Sequence, residues 1–216
     1  MTGLGRDDSL SQRTFEEGLS ALGGRDTCLR GVLDAVGPPP FWVRDPGFPT
    51  LVHIILEQQV SLASAKAAFE RLQQAVPELG PAEFLELDAP TLKRVGFSGQ
   101  KAAYCTNLAR AVTDGTLKLG NLQGADNAGV RSELIAVKGI GRWTADIYLL
   151  MALRRPDIWP TGDLALAASA QVLKGLDSRP TPDQLDAIGE SWKPWRSVAA
   201  RILWHHYLSG LPILEV

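Results

Sequence analysis

Residues Val137–Ala145 read V-K-G-I-G-R-W-T-A, and this stretch decides how the rest of the chain is interpreted. The residues before it, 130–137, are apolar on one face and predict a helix, and a second helix is predicted to begin near Arg142. Gly139 and Gly141 permit a tight reversal between the two helices, because glycine adopts backbone conformations that residues with side chains resist. The first-turn amides of the second helix lack intrahelical partners and the helix dipole adds partial positive charge, so an anion is favoured there.

The turn also carries side chains that suit anion binding. Lys138 and Arg142 flank it, and Ile140 stands between the two glycines, where it is suited to fill the gap between the helices. A bare G-x-G is weak evidence, whereas the full pattern of helix, K-G-I-G-R and helix is much more specific. It resembles the helix-hairpin-helix motif, which binds the phosphodiester backbone without reading sequence, and a plain αα-turn is the alternative. The residues expected to bind the DNA backbone are Lys138, Gly139, Ile140, Gly141, Arg142 and Thr144.

A second feature lies twenty positions beyond Trp143, where Asp163 stands in the stretch T-G-D-L-A. A helix is predicted to follow over residues 164–174, so the carboxylate is presented at the start of a helix. Asp caps helix N-termini well, and a purely structural cap is the alternative interpretation. The two roles are compatible in position. At this separation, the hairpin and the aspartate resemble the arrangement found in a superfamily of DNA repair enzymes.

Composition excludes several other classes of protein. The chain has 216 residues, 45% of them hydrophobic, and no apolar stretch reaches the roughly 18–20 residues of a membrane-spanning helix. Its N-terminus lacks the apolar core of a secretory signal, so we expect no membrane association. Cys28 and Cys105 match no metal or redox spacing and are expected to be reduced thiols, with no iron–sulfur cluster. The histidines, His53, His205 and His206, form no ligand pattern for a transition metal.

Charge distribution is only weakly informative. The net charge of −2 argues mildly against a protein that coats nucleic acid by bulk attraction. Residues 1–60 carry five basic and eight acidic side chains, whereas residues 131–201 carry ten basic and eight acidic ones. The second region, which includes the hairpin, has the sign that DNA binding requires.

Period-two apolar runs are nearly absent, so the sequence predicts an all-α fold. Leu51–Ala75 has apolar residues at three- and four-residue steps without internal Gly or Pro, and predicts one long amphipathic helix. Val36–Pro49 is predicted to be non-helical and to pack through its aromatic residues, and the C-terminal residues are expected to rejoin an N-terminal helix. Further helices are predicted at 82–88, 89–95, 99–113, 130–137, 142–154, 164–174, 182–190 and 195–208.

With Asp163 added, the chain resembles the helix-hairpin-helix (HhH-GPD) DNA glycosylase superfamily, and within it the 3-methyladenine glycosylases of the AlkA type. Three further stretches support this resemblance: I-I-L-E-Q-Q-V-S (Ile54–Ser61), G-F-S-G-Q-K-A-A-Y-C (Gly96–Cys105) and W-K-P-W-R-S (Trp192–Ser197). The match covers about residues 45–208. The resemblance implies a single HhH-GPD unit over 1–216, made of two helical subdomains around a cleft, without the N-terminal β-domain of some members.

The resemblance implies a role for each matching residue. Asp163 corresponds to the family's catalytic aspartate, which stabilises the oxocarbenium-like sugar or activates the attacking water. Trp143 stands where members that also cut the strand have a lysine, so we expect a monofunctional glycosylase without AP lyase activity. Trp143, Trp204 and Tyr148 are expected to line the base pocket, with core packing as the alternative. Gln59 is expected to insert into the duplex in place of the flipped nucleotide, or else to be an exposed amide at a helix end.

The family also implies a cation and a set of partners. Backbone carbonyls of Ile135, Val137 and Gly139 correspond to those that hold a Na⁺ or K⁺ ion at the hairpin, and no other cofactor is expected. The expected partner is double-stranded DNA with damaged bases, bound by a monomer in the cytoplasm, or in the nucleus of a eukaryote. The expected reaction is release of 3-methyladenine and 7-methylguanine. The alternatives are release of deaminated or oxidised bases, such as hypoxanthine, and a DNA-binding module without catalysis.

Overall fold

The computed structural model describes residues 9–210 and confirms the all-α class. These residues form twelve α-helices and one short 3₁₀-helix, and they contain no β-strand. The α-helices are α1 (Gln12–Arg25), α2 (Thr27–Val36), α3 (Phe48–Glu57), α4 (Leu62–Ala75), α5 (Pro81–Leu85), α6 (Ala89–Val95), α7 (Gly99–Thr113), α8 (Asn127–Ile135), α9 (Arg142–Met151), α10 (Leu164–Leu173), α11 (Pro182–Glu190) and α12 (Arg196–Ser209). None of the described helices combines the length and apolar character needed to cross a membrane.

The helices divide into two compact units. Unit 1 combines the N-terminal segment up to Val43 with the C-terminal segment from Arg154, and unit 2 is Arg44–Leu153. In unit 1, α12 packs against α1, α2 and α10. The expectation that the C-terminal residues rejoin an N-terminal helix is therefore confirmed.

A half-buried carboxylate connects three parts of unit 1. Asp26 caps α2, with its Oδ1 accepting from the backbone N–H groups of Cys28 at 2.9 Å and Leu29 at 3.1 Å. Its Oδ2 accepts from Lys174 Nζ at 2.9 Å and from the indole N–H of Trp192 at 2.8 Å. Because Trp192 is 1% exposed, its hydrogen bond to Asp26 is shielded from water and fixes the chain that leads into α12.

The predicted packing of the aromatic segment is also observed. Residues 37–47 are non-helical, and the ring of Phe41 stacks on Phe15 with centroids 4.9 Å apart. The buried guanidinium of Arg201 lies 5.5 Å from the Phe41 ring and donates to the carbonyl of Trp42 at 2.9 Å. Arg201 therefore packs in the interior of unit 1.

The prediction of one long helix over Leu51–Ala75 is wrong, because α3 and α4 are separated by a turn at residues 58–61. Within this turn Gln59 has a φ of +56°, a left-handed conformation that ends a helix. Ser61 caps α4, and its hydroxyl accepts from the backbone N–H of Ser64 at 3.2 Å. Neither Gly nor Pro marks the break, which is why the apolar periodicity ran through it.

Candidate functional site

The hairpin between α8 and α9 requires glycine at the first of its two glycine positions, Gly139. Gly139 has a φ of +109°, and a Cβ added there would lie 2.3 Å from the ring of Tyr104. Gly141 is different: it caps α9 with a φ of −93°, and an added Cβ would meet nothing within 4 Å. Gly141 provides no side-chain cap to the first turn of α9, and a helix N-terminus without such a cap suits an anion.

The other hairpin residues divide by exposure. Lys138 and Arg142 are exposed, whereas Ile140 is 4% exposed and packs beneath the turn. Thr144 is 1% exposed, and its hydroxyl accepts from Gln58 Nε2 at 2.9 Å. Because the Thr144 side chain is enclosed and already bonded within the protein, the predicted phosphate contact of Thr144 is limited to its backbone and stays a prediction. Any phosphate contact from Ile140 is limited to its backbone.

A buried ion pair beneath the hairpin was missed at the sequence level. Asp146 is 0% exposed, and its Oδ1 accepts from Arg131 Nε at 2.5 Å. Its Oδ2 lies 3.6 Å from Arg142 Nε. Burial raises the pKa of the Asp146 carboxyl, and the two guanidiniums oppose this rise. The only sequence signal was the i,i+4 spacing of Arg142 and Asp146, which is typical of surface pairs.

The turn between α3 and α4 lies against the hairpin in unit 2. Gln58 donates through Nε2 to the carbonyl of Gly139 at 3.1 Å as well as to Thr144. Gln59, the predicted intercalating residue, is exposed, and so is Val60, at 44%. The structure thus places Gln59 at an exposed turn beside the hairpin, and its insertion into a duplex stays a prediction.

The two pocket residues predicted in unit 2 differ in their surroundings. Trp143 is half-buried in the first turn of α9. Tyr148 is 0% exposed, and its hydroxyl accepts from the backbone N–H of Gly47 at 3.0 Å. Burial raises the pKa of the Tyr148 phenol. This geometry favours core packing for Tyr148 over contact with a base.

Asp163 and Trp204 come together in unit 1. Asp163 is 7% exposed and caps α10, its Oδ1 accepting from the N–H groups of Ala165 at 3.0 Å and Leu166 at 2.9 Å. The same oxygen accepts from the indole N–H of Trp204 at 3.2 Å. Trp204 is half-buried on α12. At least three donors therefore fix the carboxylate, and the sequence indicated only the helix cap.

The loop before Asp163 is shaped by local contacts. Gly162 has a φ of +80°, and the hydroxyl of Thr161 donates to Asp186 Oδ1 at 2.9 Å. Leu164, directly after Asp163, is 72% exposed. The carboxylate thus lies next to exposed surface on a loop whose course is fixed from α11.

The carbonyls predicted to hold a cation lie in the hairpin. The carbonyl of Val137 accepts from the N–H of Ile140 at 3.0 Å, and that of Gly139 accepts from Gln58. A carbonyl oxygen has two lone pairs, so these bonds leave acceptor capacity on each. Together with the carbonyl of Ile135 they are the neutral oxygens expected to hold a monovalent cation, and the binding of such an ion stays a prediction. Within residues 9–210, no group of three His, Cys, Asp or Glu side chains is arranged to hold a metal ion.

The sequence matches the HhH-GPD superfamily base excision DNA repair protein family over residues 52–195, more than half of the chain. The chain belongs to this family. The matched region lies within the residues 45–208 over which the motifs indicated the resemblance. It includes the α3–α4 turn, the hairpin and Asp163.

Two similar proteins carry the name DNA-3-methyladenine glycosylase. A Bacillus subtilis protein with the provisional name DNA-3-methyladenine glycosylase YfjP is 28% identical over 186 residues, which are 82% of this chain and 65% of that protein. A second Bacillus subtilis relative, DNA-3-methyladenine glycosylase, is 29% identical over 169 residues, 73% of this chain and 56% of that protein. The chain thus spans less than two thirds of the length of these curated relatives. The resemblance to 3-methyladenine glycosylases is confirmed.

A solved structure extends the similarity to the fold. The Schizosaccharomyces pombe 3-methyladenine DNA glycosylase Mag1, solved in complex with abasic DNA, superposes with a TM-score of 0.77 at 25% identity. The match covers 87% of this chain and 95% of that one. The HhH-GPD fold inferred from the motifs is therefore confirmed.

Proposed function

We propose that this HhH-GPD protein is a DNA glycosylase that removes alkylated purines, 3-methyladenine and 7-methylguanine, from double-stranded DNA in base excision repair. The observation that carries the proposal is the Asp163 carboxylate, fixed by three donors at the start of α10. A helix cap needs only the backbone donors, so the indole N–H of Trp204 indicates that the orientation of this carboxylate matters. The names of the relatives support the same activity.

The chemistry suits a single carboxylate. A purine methylated at N3 or N7 carries positive charge, so it leaves with the electrons of the glycosidic bond without further protonation. The sugar that remains resembles an oxocarbenium ion, and a carboxylate aligned with it lowers the energy of this state. Water then adds to the anomeric carbon and gives up a proton, to Asp163 or to solvent. The target nucleotide must leave the base stack first, as in other enzymes that act on bases in duplexes.

The proposed reaction ends at an abasic site. Strand cleavage by the lyase route needs an amine that forms a Schiff base with the sugar. The position expected for that amine holds Trp143, whose indole cannot form one. Incubating the protein with lesion DNA and borohydride should therefore trap no covalent adduct, and without alkali the strand should stay intact. An adduct that forms in the presence of borohydride contradicts this part of the proposal.

The aromatic side chains supply affinity for the base. The half-buried indoles of Trp143 and Trp204 offer electron-rich faces that attract a cationic base by about 1–2 kcal/mol more than an apolar surface does. A neutral base such as hypoxanthine lacks this contribution. We therefore expect alkylated purines to be released faster than hypoxanthine.

The hairpin supplies binding to the backbone. The first-turn amides of α9, together with the exposed Lys138 and Arg142, suit a DNA phosphate. A Na⁺ or K⁺ ion held by the carbonyls of Ile135, Val137 and Gly139 would add positive charge at the same point. Replacing K⁺ by a large organic cation in the binding buffer should then weaken DNA binding at constant ionic strength.

The experiment that tests the function is chromatographic identification of bases released from randomly methylated DNA. Wild type should release 3-methyladenine and 7-methylguanine, and Asp163→Asn should lose this activity by about a thousand-fold or more. Asn also caps helices well, so this change removes the charge and keeps the cap. Asp183→Asn is the matched control, because Asp183 is an exposed acid in the first turn of α11.

Each outcome of this experiment is decisive. Full base release by Asp163→Asn shows that the carboxylate is a structural cap only. Tight binding of DNA by wild type without release of any base supports the non-catalytic DNA-binding module. Faster release of hypoxanthine from deaminated DNA than of 3-methyladenine from methylated DNA supports a glycosylase for deaminated bases.

A further inference from the structure

The side chain of Gln58 links two elements that lie far apart in sequence. It is the C-cap residue of α3, and its amide donates to the carbonyl of Gly139 at 3.1 Å and to the hydroxyl of Thr144 at 2.9 Å. Those partners lie 81 and 86 residues further along the chain, in the hairpin and the first turn of α9. One amide group thus uses its two hydrogens to connect the turn at residues 58–61 with the hairpin.

The turn needs such a connection because its own sequence does not favour its shape. Gln59 has a φ of +56°, a left-handed conformation that is unfavourable for a residue with a side chain. Gln59 and Val60 are exposed, so their side chains contribute few contacts that hold this conformation. Lys101 Nζ donates to the carbonyl of Leu56 at 2.6 Å and so fixes the last turn of α3 from α7. Gln58, two residues after Leu56, fixes the start of the turn to the hairpin.

We propose that Gln58 is a positioning residue that fixes the turn at residues 58–61 to the hairpin, so that both elements meet one DNA molecule with a preset spacing. The proposal rests on the proposed function for its meaning in catalysis. A preset spacing between the turn and the hairpin lowers the entropy that is lost when DNA binds at both elements. This gain is larger for the duplex with a flipped nucleotide than for the undistorted duplex. Gln58 acts through Gly139, Thr144 and the turn.

Loss of the two Gln58 hydrogen bonds should slow base release more than it weakens DNA binding. Phosphate binding by the hairpin uses the amides of α9, Lys138 and Arg142, none of which bonds Gln58. Affinity for undamaged duplex should therefore change less than two-fold in Gln58→Ala. Single-turnover base release should fall about ten-fold, the effect expected when about two neutral hydrogen bonds are lost.

Three variants separate a positioning role from general damage. Gln58→Ala removes both hydrogen bonds, and Thr144→Val removes only the hydroxyl that accepts one of them. The double variant should release base no more slowly than Gln58→Ala alone, because the two residues act through a shared contact. Gln73→Ala is the matched control, since Gln73 is an exposed glutamine on α4. Melting temperatures identify any variant that is unfolded, in which case Thr144→Val carries the test.

Two readouts complete the experiment. The first is the fluorescence of 2-aminopurine placed next to the lesion, which reports nucleotide flipping. The second is amide hydrogen exchange of the free protein, which should speed up at residues 58–61 and in the hairpin in Gln58→Ala but not in Gln73→Ala. If wild type released no methylated base, the proposed function would fail, and the exchange measurement would still decide whether Gln58 links the two elements.

The proposal is overturned by any of three results. The first is unchanged exchange at both elements in Gln58→Ala. The second is base release that falls no further than in Gln73→Ala. The third is a loss of affinity for undamaged duplex in the same proportion as the loss of base release, because that pattern indicates a general binding defect.

Discussion

Replacing Trp204 by Phe removes one hydrogen-bond donor from Asp163 and keeps an aromatic face. In the native protein Asp163 Oδ1 accepts from Ala165 N at 3.0 Å, from Leu166 N at 2.9 Å and from Trp204 Nε1 at 3.2 Å. The two backbone donors belong to α10 and stay in place in the variant. Only the donor that comes from α12 is lost, so the carboxylate keeps its cap but loses one constraint on its orientation.

The size of the effect follows from the kind of hydrogen bond. A bond to a charged group contributes about 1.5–3 kcal/mol, and a long bond to a half-buried donor lies at or below the lower end of that range. Taking about 1–1.5 kcal/mol predicts a five- to twelve-fold decrease in the single-turnover rate of base release. Trp204→Leu also removes the aromatic face, and about 1–2 kcal/mol of attraction for a cationic base with it. Its affinity for lesion DNA should therefore fall further than that of Trp204→Phe.

The assay is single-turnover release of 7-methylguanine with enzyme in excess, at several enzyme concentrations, so that the rate and the affinity separate. Trp195→Phe is the matched control, because it makes the same change at the residue before α12. Melting temperatures confirm that each variant is folded. A Trp204→Phe rate within two-fold of wild type, together with a slow Trp204→Leu, would refute the reasoning. That result would mean that Trp204 acts by its ring alone.

Three further predictions concern stability and binding. Gly139→Ala should lower the free energy of unfolding by about 3 kcal/mol, measured by chemical denaturation, because the new Cβ meets the ring of Tyr104 and the φ is left-handed. Gly141→Ala places its Cβ in open space and should change the free energy of unfolding by less than about 0.5 kcal/mol. The same variant should still weaken DNA binding, measured by an anisotropy titration. Burial lowers the pKa of His206 below its ordinary 6.5, so the unfolded state binds more protons and stability should fall as the pH drops below about 6.5, less steeply in His206→Gln. Asp26→Ala removes a helix cap and two side-chain partners and should cost about 2–4 kcal/mol, against about 1 kcal/mol for Trp192→Phe, by thermal denaturation. Equal stability of Gly139→Ala and Gly141→Ala, a pH profile unchanged by His206→Gln, or a harmless Asp26→Ala would contradict the respective prediction.

The helices whose ends carry local signals were predictable from the sequence. Ser98 caps α7 and Thr181 caps α11, and both helices occupy the predicted residues, 99–113 and 182–190. Each cap bonds an amide within three residues, so the information lies in the local sequence. The break at 58–61 carries a local cap at Ser61 but neither Gly nor Pro, so the apolar periodicity continues across it. The bonds of Gln58 in the same turn reach partners more than 80 residues away, and no local pattern contains those contacts.

In the candidate site, too, features set by neighbouring residues were predictable from the sequence, whereas features set by contacts far apart in sequence were not. Asp163 was predictable because its motif and its cap are local. The bond from Trp204 to Asp163 spans 41 residues, so the sequence suggested a stacking ring without its donor role. Asp146 was missed because an acid four residues after Arg142 is typical of a surface pair, and only the packing of α8 on α9 shows that it is buried.

Under the proposed function, unit 2 binds the DNA backbone and unit 1 supplies the carboxylate, and the dependence on salt concentration distinguishes these two contributions. Unit 2 contains the hairpin and the turn at 58–61, whereas Asp163 and Trp204 belong to unit 1. A phosphate held by amides and exposed cations is bound more weakly as salt screens the charges. A defect from Gly141→Ala should therefore shrink at low salt, where the remaining charges restore occupancy. A defect from Asp163→Asn should be the same at every salt concentration, because the bound complex lacks the carboxylate that stabilises the sugar cation.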